Sequence, residues 1–352
     1  MPAFDRYIGI DYSGAQTPNA SLPGLRVYLS EANGPPVEVL PLPSPRKHWT
    51  RRGIAAWLVE RLVEDALTLV GIDHGFSFPM PYFERHGLKH AWDAFLDDFQ
   101  RHWPTDEDIY VDFVREGTHG NGAARTGKTR WRRLTELRAG GAKSVFHFDV
   151  QGSVAKSTHA GIPWLRFIRR QPGSRVHFWP FDGWDIPAGR SAIVEVYPRL
   201  WSGGFPRDDR TQDQHDAYSI AAWLQRADRD GGLAAALRPD LAPDERAIAE
   251  IEGWILGVSG PPQKHKALGA GGLVLPAKEA APASPTTTPG YINRNCQRVV
   301  RKTDLPGNDH LQKTYELQCG RCGGTYGANG SDIWLRRCPH CQGGAPGLPL
   351  PD

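Results

Sequence analysis

Two periodicities alternate along this chain. Residues 7–10, Tyr-Ile-Gly-Ile, form an apolar run that stops at Asp11, with Ser13-Gly14 close behind. Such a run reads as a buried strand with a small-residue turn at its carboxyl end. Residues 67–72, LTLVGI, repeat the design and stop at Asp73, followed by His74-Gly75; residues 192–194 run into Glu195 and then Val196-Tyr197-Pro198. Between these acid-tipped runs, 25–32 and 37–40 read as strands joined at Asn33-Gly34, a hairpin signal. Residues 51–66 place Ile54, Trp57, Leu58, Leu62 and Ala66 at helical spacing. Asp216 opens the apolar helix HDAYSIAAWL, with Asp213 three residues earlier and on the same helix face.

The remaining pattern is less regular. Helices are expected over 89–101, 131–138, 162–169 and 244–258, and strands over 109–114, 144–150 and 175–181. Residues 79–187 are long for a connection and read as a large insertion on the substrate side. Three strands, a helix and a fourth strand match the opening order of the ribonuclease H-like fold, in which the first and fourth strands are neighbours. The expected fold is therefore α/β, a ribonuclease H-like mixed sheet with flanking helices over 1–258. Residues 259–290, rich in Pro, Ala, Gly and Thr, read as a linker to a small β module over 291–346.

Composition sharpens this division. A chain of 352 residues with 39% hydrophobic residues can bury a substantial core. It has no apolar run of membrane-spanning length and no basic-then-apolar N-terminus, so a soluble, cytoplasmic protein is expected, with no membrane partner. All five cysteines fall between 296 and 341, and residues 291–352 carry eight Lys/Arg against five Asp/Glu. Cys319-x-x-Cys322, fifteen residues, then Cys338-x-x-Cys341 is the spacing of a zinc ribbon, with four thiolates around a structural Zn²⁺. The segments YELQ and IWLRR are expected to flank it as strands, His340 to point outward, and Cys296 to stand apart.

Isolated carboxylates at buried strand ends are costly unless neutralised, and a divalent cation is a common answer. Asp11, Asp73, Glu195 and Asp216, with Asp213 alongside, are the catalytic candidates, holding Mg²⁺ or Mn²⁺ for a two-metal attack on phosphodiesters. His74 beside Asp73 either ligates or packs, and packing is the expectation. Residues 122–129, GAARTGKT, fit the pattern G-x-x-x-x-G-K-T, but no strand directly precedes them, so a basic loop is expected in place of a nucleotide loop. Lys128, Arg130, Arg132 and Arg133, and Lys156 further on, would then contact phosphates. In the β module Arg298, Arg301, Lys302, Arg336 and Arg337, along with Arg294, Tyr291 and Trp334, are candidates for a nucleic-acid face with stacking aromatics. A solvated or protein-docking surface is the alternative.

The segments IGIDYSGA, VGIDHGFSFP, AIVEVYP and HDAYSIAAWL, with GAKSVF and VHFWPF, make residues 5–258 resemble the family of predicted ribonuclease H-like nucleases known as domain of unknown function 429. The resemblance implies a metal-dependent nuclease acting on DNA or RNA, with Asp11, Asp73, Glu195 and Asp216 as site residues and Glu136 as a further candidate. Two rivals remain open. One is a non-catalytic adaptor that binds nucleic acid or protein. The other is an ATPase or kinase of the actin-like or sugar-kinase class, disfavoured because the glycine of Asp11-Tyr-Ser-Gly-Ala comes one position late.

Overall fold

The computed structural model describes residues 2–14, 16–31, 34–42, 47–149, 153–171, 175–259, 285–293, 295–307, 313–330, 332–333 and 336–350. The chain divides into two compact units, Met1–Leu268 and Gly269–Asp352. The division falls within the stretch read as a linker, most of which lies outside the described residues.

In the first unit the chain runs β1 (Arg6–Tyr12), β2 (Leu25–Glu31), β3 (Val37–Glu38), α1 (Arg51–Leu62) and β4 (Thr68–Asp73), then α2 (Met80–His86), α3 (Trp92–His102), α4 (Val111–Arg115), α5 (Leu134–Arg138) and α6 (Ala155–Arg169). It continues with β5 (His177–Trp179), β6 (Ala192–Glu195), α7 (Gln212–Arg229), α8 (Gly232–Ala236) and α9 (Pro243–Glu252). Six strands form one mixed sheet in the order β3-β2-β1-β4-β6-β5, with β2 antiparallel to β1 and to β3, and β1, β4, β6 and β5 mutually parallel. β1 is buried at every position, as a parallel strand covered on both faces requires.

Asp11 pairs in register with Asp73, and two residues back Gly9 pairs with Gly71. That glycine pair sets how closely α7 can lie on the sheet. A Cβ at Gly9 would stand 2.2 Å from the Ala217 carbonyl oxygen and 2.6 Å from the Ala221 nitrogen, and one at Gly71 would stand 2.6 Å from Ile220 Cγ2. Two bare strand positions, Gly9 against Ala217 and Ala221 and Gly71 against Ile220, let α7 settle over the centre of the sheet. A capping box starts the helix: the Thr211 hydroxyl accepts from Gln214 N, and the Gln214 side chain accepts from Thr211 N at 3.0 Å. Asp213 and Asp216 occupy its first turns, so the close approach of α7 brings them to the carboxyl ends of β1 and β4.

The opposite face is covered by α1, α3 and α6 around an aromatic core that includes Phe78, Phe95, Phe99, Trp103, Phe146 and the imidazole of His159. Pro163 lies inside α6 and cannot donate to the carbonyl of His159; the Thr105 hydroxyl donates to it instead, at 2.5 Å.

Several expected elements differ. Residues 109–114, expected as a strand, contain the start of the helix α4, which buries Val111 and Val114 three apart on one face. Residues 144–149 form turns, with Ser144 Oγ donating to Trp131 O and accepting from Phe146 N. The helix expected over 244–258 stops at Glu252, because Gly253 takes φ +79° and turns the chain so that Ile255 bridges to Glu195.

The second unit is an antiparallel meander, β7 (Gln297–Pro306), β8 (Lys313–Cys319) and β9 (Thr325–Asn329), around Val299, Leu317, Tyr326, Ala328 and Ile333. The strand after the first cysteine pair is therefore β9. In IWLRR, Trp334 and Leu335 lie outside the described residues, and Arg336 and Arg337 are not in a strand.

Candidate functional site

At the carboxyl ends of β1 and β4, Asp11 and Asp73 stand side by side. Asp11 is 3% exposed, and its Oδ1 accepts from Ser13 N at 2.8 Å, so the small-residue turn holds the carboxylate in place. The turn is itself pinned from below. The buried Arg51 guanidinium donates to Gly14 O, where φ is +95°, and to Gln16 O at 2.7 Å. Burial, and then the charges of Asp213 and Asp216, push the Asp11 carboxyl well above its usual range. Burial, then Asp11, Asp216 and Glu195, does the same to Asp73. Asp213 and Asp216 are half-buried; burial shifts both upward, with the Asp216 charge adding to the shift of Asp213, and the Gln212 amide donates to both oxygens of Asp216 at 3.0 and 2.9 Å. Four acids whose ionisation is disfavoured, gathered at the carboxyl ends of the parallel strands β1 and β4, favour a positive partner.

Glu195 is placed differently from the expectation. It does reach the same end of the sheet, opposite Ile72 of β4. Its two oxygens, however, accept from Arg133 Nη2 at 2.5 Å and Nη1 at 2.7 Å, and Oε2 also accepts from Phe76 N at 3.0 Å. Arg133 in turn donates from Nε to Glu136 at 2.9 Å, and all three side chains are at most 4% exposed. Arg133 is thus not a phosphate-contacting loop residue; it is a buried cation bidentate to one glutamate and bonded to a second. Glu136 joins that network and is pushed up to about 7, burial outweighing the attraction of Arg133. Among the described residues, the only group of three or more His, Cys, Asp or Glu whose ligand atoms lie within 4.8 Å of one another is the four cysteines.

His74 packs. Its ring sits 4.8 Å from Tyr12 and 5.3 Å from Phe76, its Nδ1 bonds Gly75 O at 2.9 Å, and burial lowers it to about 4, so it is neutral. GAARTGKT is not a nucleotide loop: a short helix lies before it, Gly122–Ala124 form a 3-10 turn, and the next helix begins only at Leu134. Its glycines serve packing, since a Cβ at Gly122 would meet Trp103 at 2.8 Å and one at Gly127 would meet Phe146 at 2.4 Å. Lys128, Arg130 and Arg132 are exposed, as a basic loop requires, while Lys156 is paired with Asp112 at 2.6 Å.

The two walls of the site enclose a cleft of about 400 Å³ lined by Asp73, Glu195, Arg133 and Glu136, and by Lys143, Ser153, Ser157 and Arg199. The last four carried no signal as a set in the sequence, because they come from three separate loops and helix starts. Lys143 lies in the GAKS segment, and Ser153 and Ser157 flank Lys156, which the sequence offered as a phosphate contact.

In the second unit, Cys319 and Cys341 have their sulfurs 3.6 Å apart, as do Cys322 and Cys338. A tetrahedral zinc with Zn–S of about 2.3 Å implies S···S of roughly 3.8 Å, so the cage fits such an ion. Backbone N–H groups of Arg321 and His340 donate to Cys319 and Cys338 at 3.4 Å, as thiolates invite. Arg298, Lys302 and Arg337 are exposed, and Arg301 pairs with Glu316 at 2.6 Å. Arg336 is committed elsewhere: its side chain is 11% exposed and donates to the carbonyls of Ala345 and Pro346, clamping the chain end. Arg294 lies outside the described residues.

Comparison with protein-family models, curated proteins and solved structures gives no match to this chain. Among the described residues, no helix is long and apolar enough to cross a membrane.

Proposed function

We propose that the first unit is a metal-dependent hydrolase of nucleic-acid phosphodiesters with a ribonuclease H-like core, of the kind that its resemblance to domain of unknown function 429 implies. The observation that carries this reading is the register pair Asp11–Asp73 on adjacent parallel strands, roofed by Asp213 and Asp216 of α7. The strand order β3-β2-β1-β4-β6, with β2 alone among the long strands running antiparallel, supports the fold assignment.

Asp11, Asp73 and Asp216 are oxygen donors of the kind a hard divalent cation takes, and Mg²⁺ or Mn²⁺ would have to draw them together, since their oxygens are not grouped within 4.8 Å of one another. Such an ion would polarise the phosphoryl group and activate water. Ser13 N fixes the Asp11 carboxylate and Gln212 orients that of Asp216. Glu195 is better read as the anchor of Arg133 than as a ligand of a second ion. Paired with both Glu136 and Glu195, the Arg133 cation is held rigidly and brings no net positive charge to the site.

The cysteine module reads as a zinc ribbon whose exposed cations on β7 recruit DNA or RNA, or alternatively a protein partner. A non-catalytic adaptor remains the second reading, favoured by the commitment of Glu195 to Arg133. Cleavage of labelled single-stranded, double-stranded and branched DNA and RNA with Mg²⁺ or Mn²⁺, with ATP turnover in the same panel, tests the proposal. Asp11→Asn and Asp73→Asn are each expected to abolish cutting. Tight binding without cutting, unchanged by both substitutions, would favour the adaptor.

A further inference from the structure

We propose that Gln297 is the positioning residue of the cysteine cage: its buried amide holds the Cys319 thiolate in place and ties the two cysteine pairs together. This role rests on the reading of the module as a metal site and deepens it by saying what, besides the four sulfurs, sets the hold on the ion.

Burial is the first argument. Cys319 and Cys338 are buried, whereas Cys322 and Cys341 are exposed. Water can solvate a thiolate at the surface, but a buried one needs donors from the chain. The backbone N–H of His340 serves Cys338, and that of Arg321 serves Cys319. Cys319 also accepts from Gln297 Nε2 at 3.6 Å. Gln297 is fully buried and pairs in register with Cys319 across β7 and β8.

The orientation of the amide is fixed from both ends. The Asn295 carbonyl, which can only accept, lies 2.6 Å from Nε2 and keeps the N–H groups on that side. The Tyr326 hydroxyl donates to Oε1 at 2.8 Å. A glutamine beside Val299, Leu317 and Ala328 is costly unless its polar atoms are matched, and here both are. Nε2 also donates to Gln342 Oε1 at 2.9 Å, and that oxygen accepts from the Cys338 backbone N–H at 2.9 Å. A line of hydrogen bonds thus runs from the Cys319 sulfur through two side-chain amides to the backbone of Cys338. It joins the Cys319–Cys322 pair to the Cys338–Cys341 pair, so a shift of either is felt by the other. Partners of this kind orient metal ligands and tune their donor strength.

Titration of the metal-free full chain with Co²⁺, read by its sulfur-to-metal charge-transfer absorption, tests this role together with competition for Zn²⁺ against a chromophoric chelator. The parent protein is expected to bind both ions. Gln297→Leu should weaken zinc roughly 10–100-fold. It should also move the charge-transfer band to longer wavelength, because a sulfur that loses a hydrogen bond gives up an electron more readily. Gln297→Glu keeps the shape and the acceptor for Tyr326 but not the donor. It should shift the band likewise, which keeps the test decisive if the leucine variant takes up no metal. Tyr326→Phe is the control, since it removes a buried hydrogen bond from the same amide without touching a sulfur. Its band should stay at the parent position, and its zinc affinity should fall less than that of Gln297→Leu. An unmoved band or unchanged zinc affinity in the Gln297 variants, or an equal shift in Tyr326→Phe, would overturn the positioning role while leaving the metal site standing. A parent protein that binds neither ion would overturn the metal reading and this role with it.

Discussion

Arg133 shows at the scale of one residue how a buried charge is made tolerable. Its guanidinium meets Glu195 through two nitrogens and Glu136 through a third, with the backbone N–H of Phe76 on the remaining face of Glu195. Replacing it with methionine leaves two buried carboxylates without a counter-charge, a change that typically costs about 3–5 kcal/mol. Chemical denaturation of Arg133→Met should show a loss of that size, larger than for Glu136→Gln, which leaves Glu195 paired. His159 gives a second residue-scale expectation. It is fully buried among aromatic rings, its Nδ1 bonds Ala155 O, and burial lowers it to about 3. Because the folded state holds this imidazole neutral while the unfolded chain titrates near 6.5, stability is full above that pH. It is lost as pH falls from about 6.5 toward 3, at up to about 1.4 kcal/mol per unit. His159→Phe should flatten the acid limb of a stability–pH curve by up to one proton's slope. Asp11 and Asp73 were legible from sequence because an apolar run delivers each to a strand end. Arg133 was not, because a basic run reads as surface and its glutamate partner lies 62 residues away.

Among the elements, the docking of α7 onto β1 and β4 decides whether the acids meet at all. The paired glycines of those strands leave no room for a methyl group, with Ala217, Ile220 and Ala221 filling the space. Gly9→Ala should overpack this contact and cost about 1–3 kcal/mol or more. If cleavage is assayed on the same variant, activity should fall beyond what the unfolded fraction explains, since the helix carrying Asp213 and Asp216 is lifted. A thermal transition unchanged from that of the parent protein would refute the packing argument. The sequence displayed these glycines as ordinary members of an apolar run; the reason for them lies in a helix some two hundred residues later. Misread elements have local causes. Residues 111–114, Val-Asp-Phe-Val, are rich in strand formers, yet burial of Val111 and Val114 together requires a helical turn. The end of α9 depends on one positive φ at Gly253, which helical spacing alone does not announce.

For the molecule as a whole, the two units draw their stability from different sources. The first has a large aromatic and aliphatic core, whereas the second has a handful of apolar residues around three strands. Where the four cysteines hold a metal, binding and folding of so small a core become one equilibrium. Metal analysis of the full chain should find one zinc per molecule, and Cys338→Ser should reduce that content sharply. Chelation should melt the module while the main thermal transition of the first unit stays within a few degrees. Cysteine spacing made this unit the most legible part of the chain, because ligand arithmetic is local. The carboxylate site was legible as a set of strand ends, and its cleft was not, since Lys143, Ser153 and Arg199 become neighbours only through tertiary packing.

The internal neutralisation of Glu195 by Arg133 bears on how this protein would fare when metals are scarce. A site whose acids all awaited ions would fold poorly without them. Here Glu195 is already balanced within the chain by Arg133, whatever the neighbouring aspartates hold. Metal starvation would therefore dismantle the cysteine module first and leave the first unit folded.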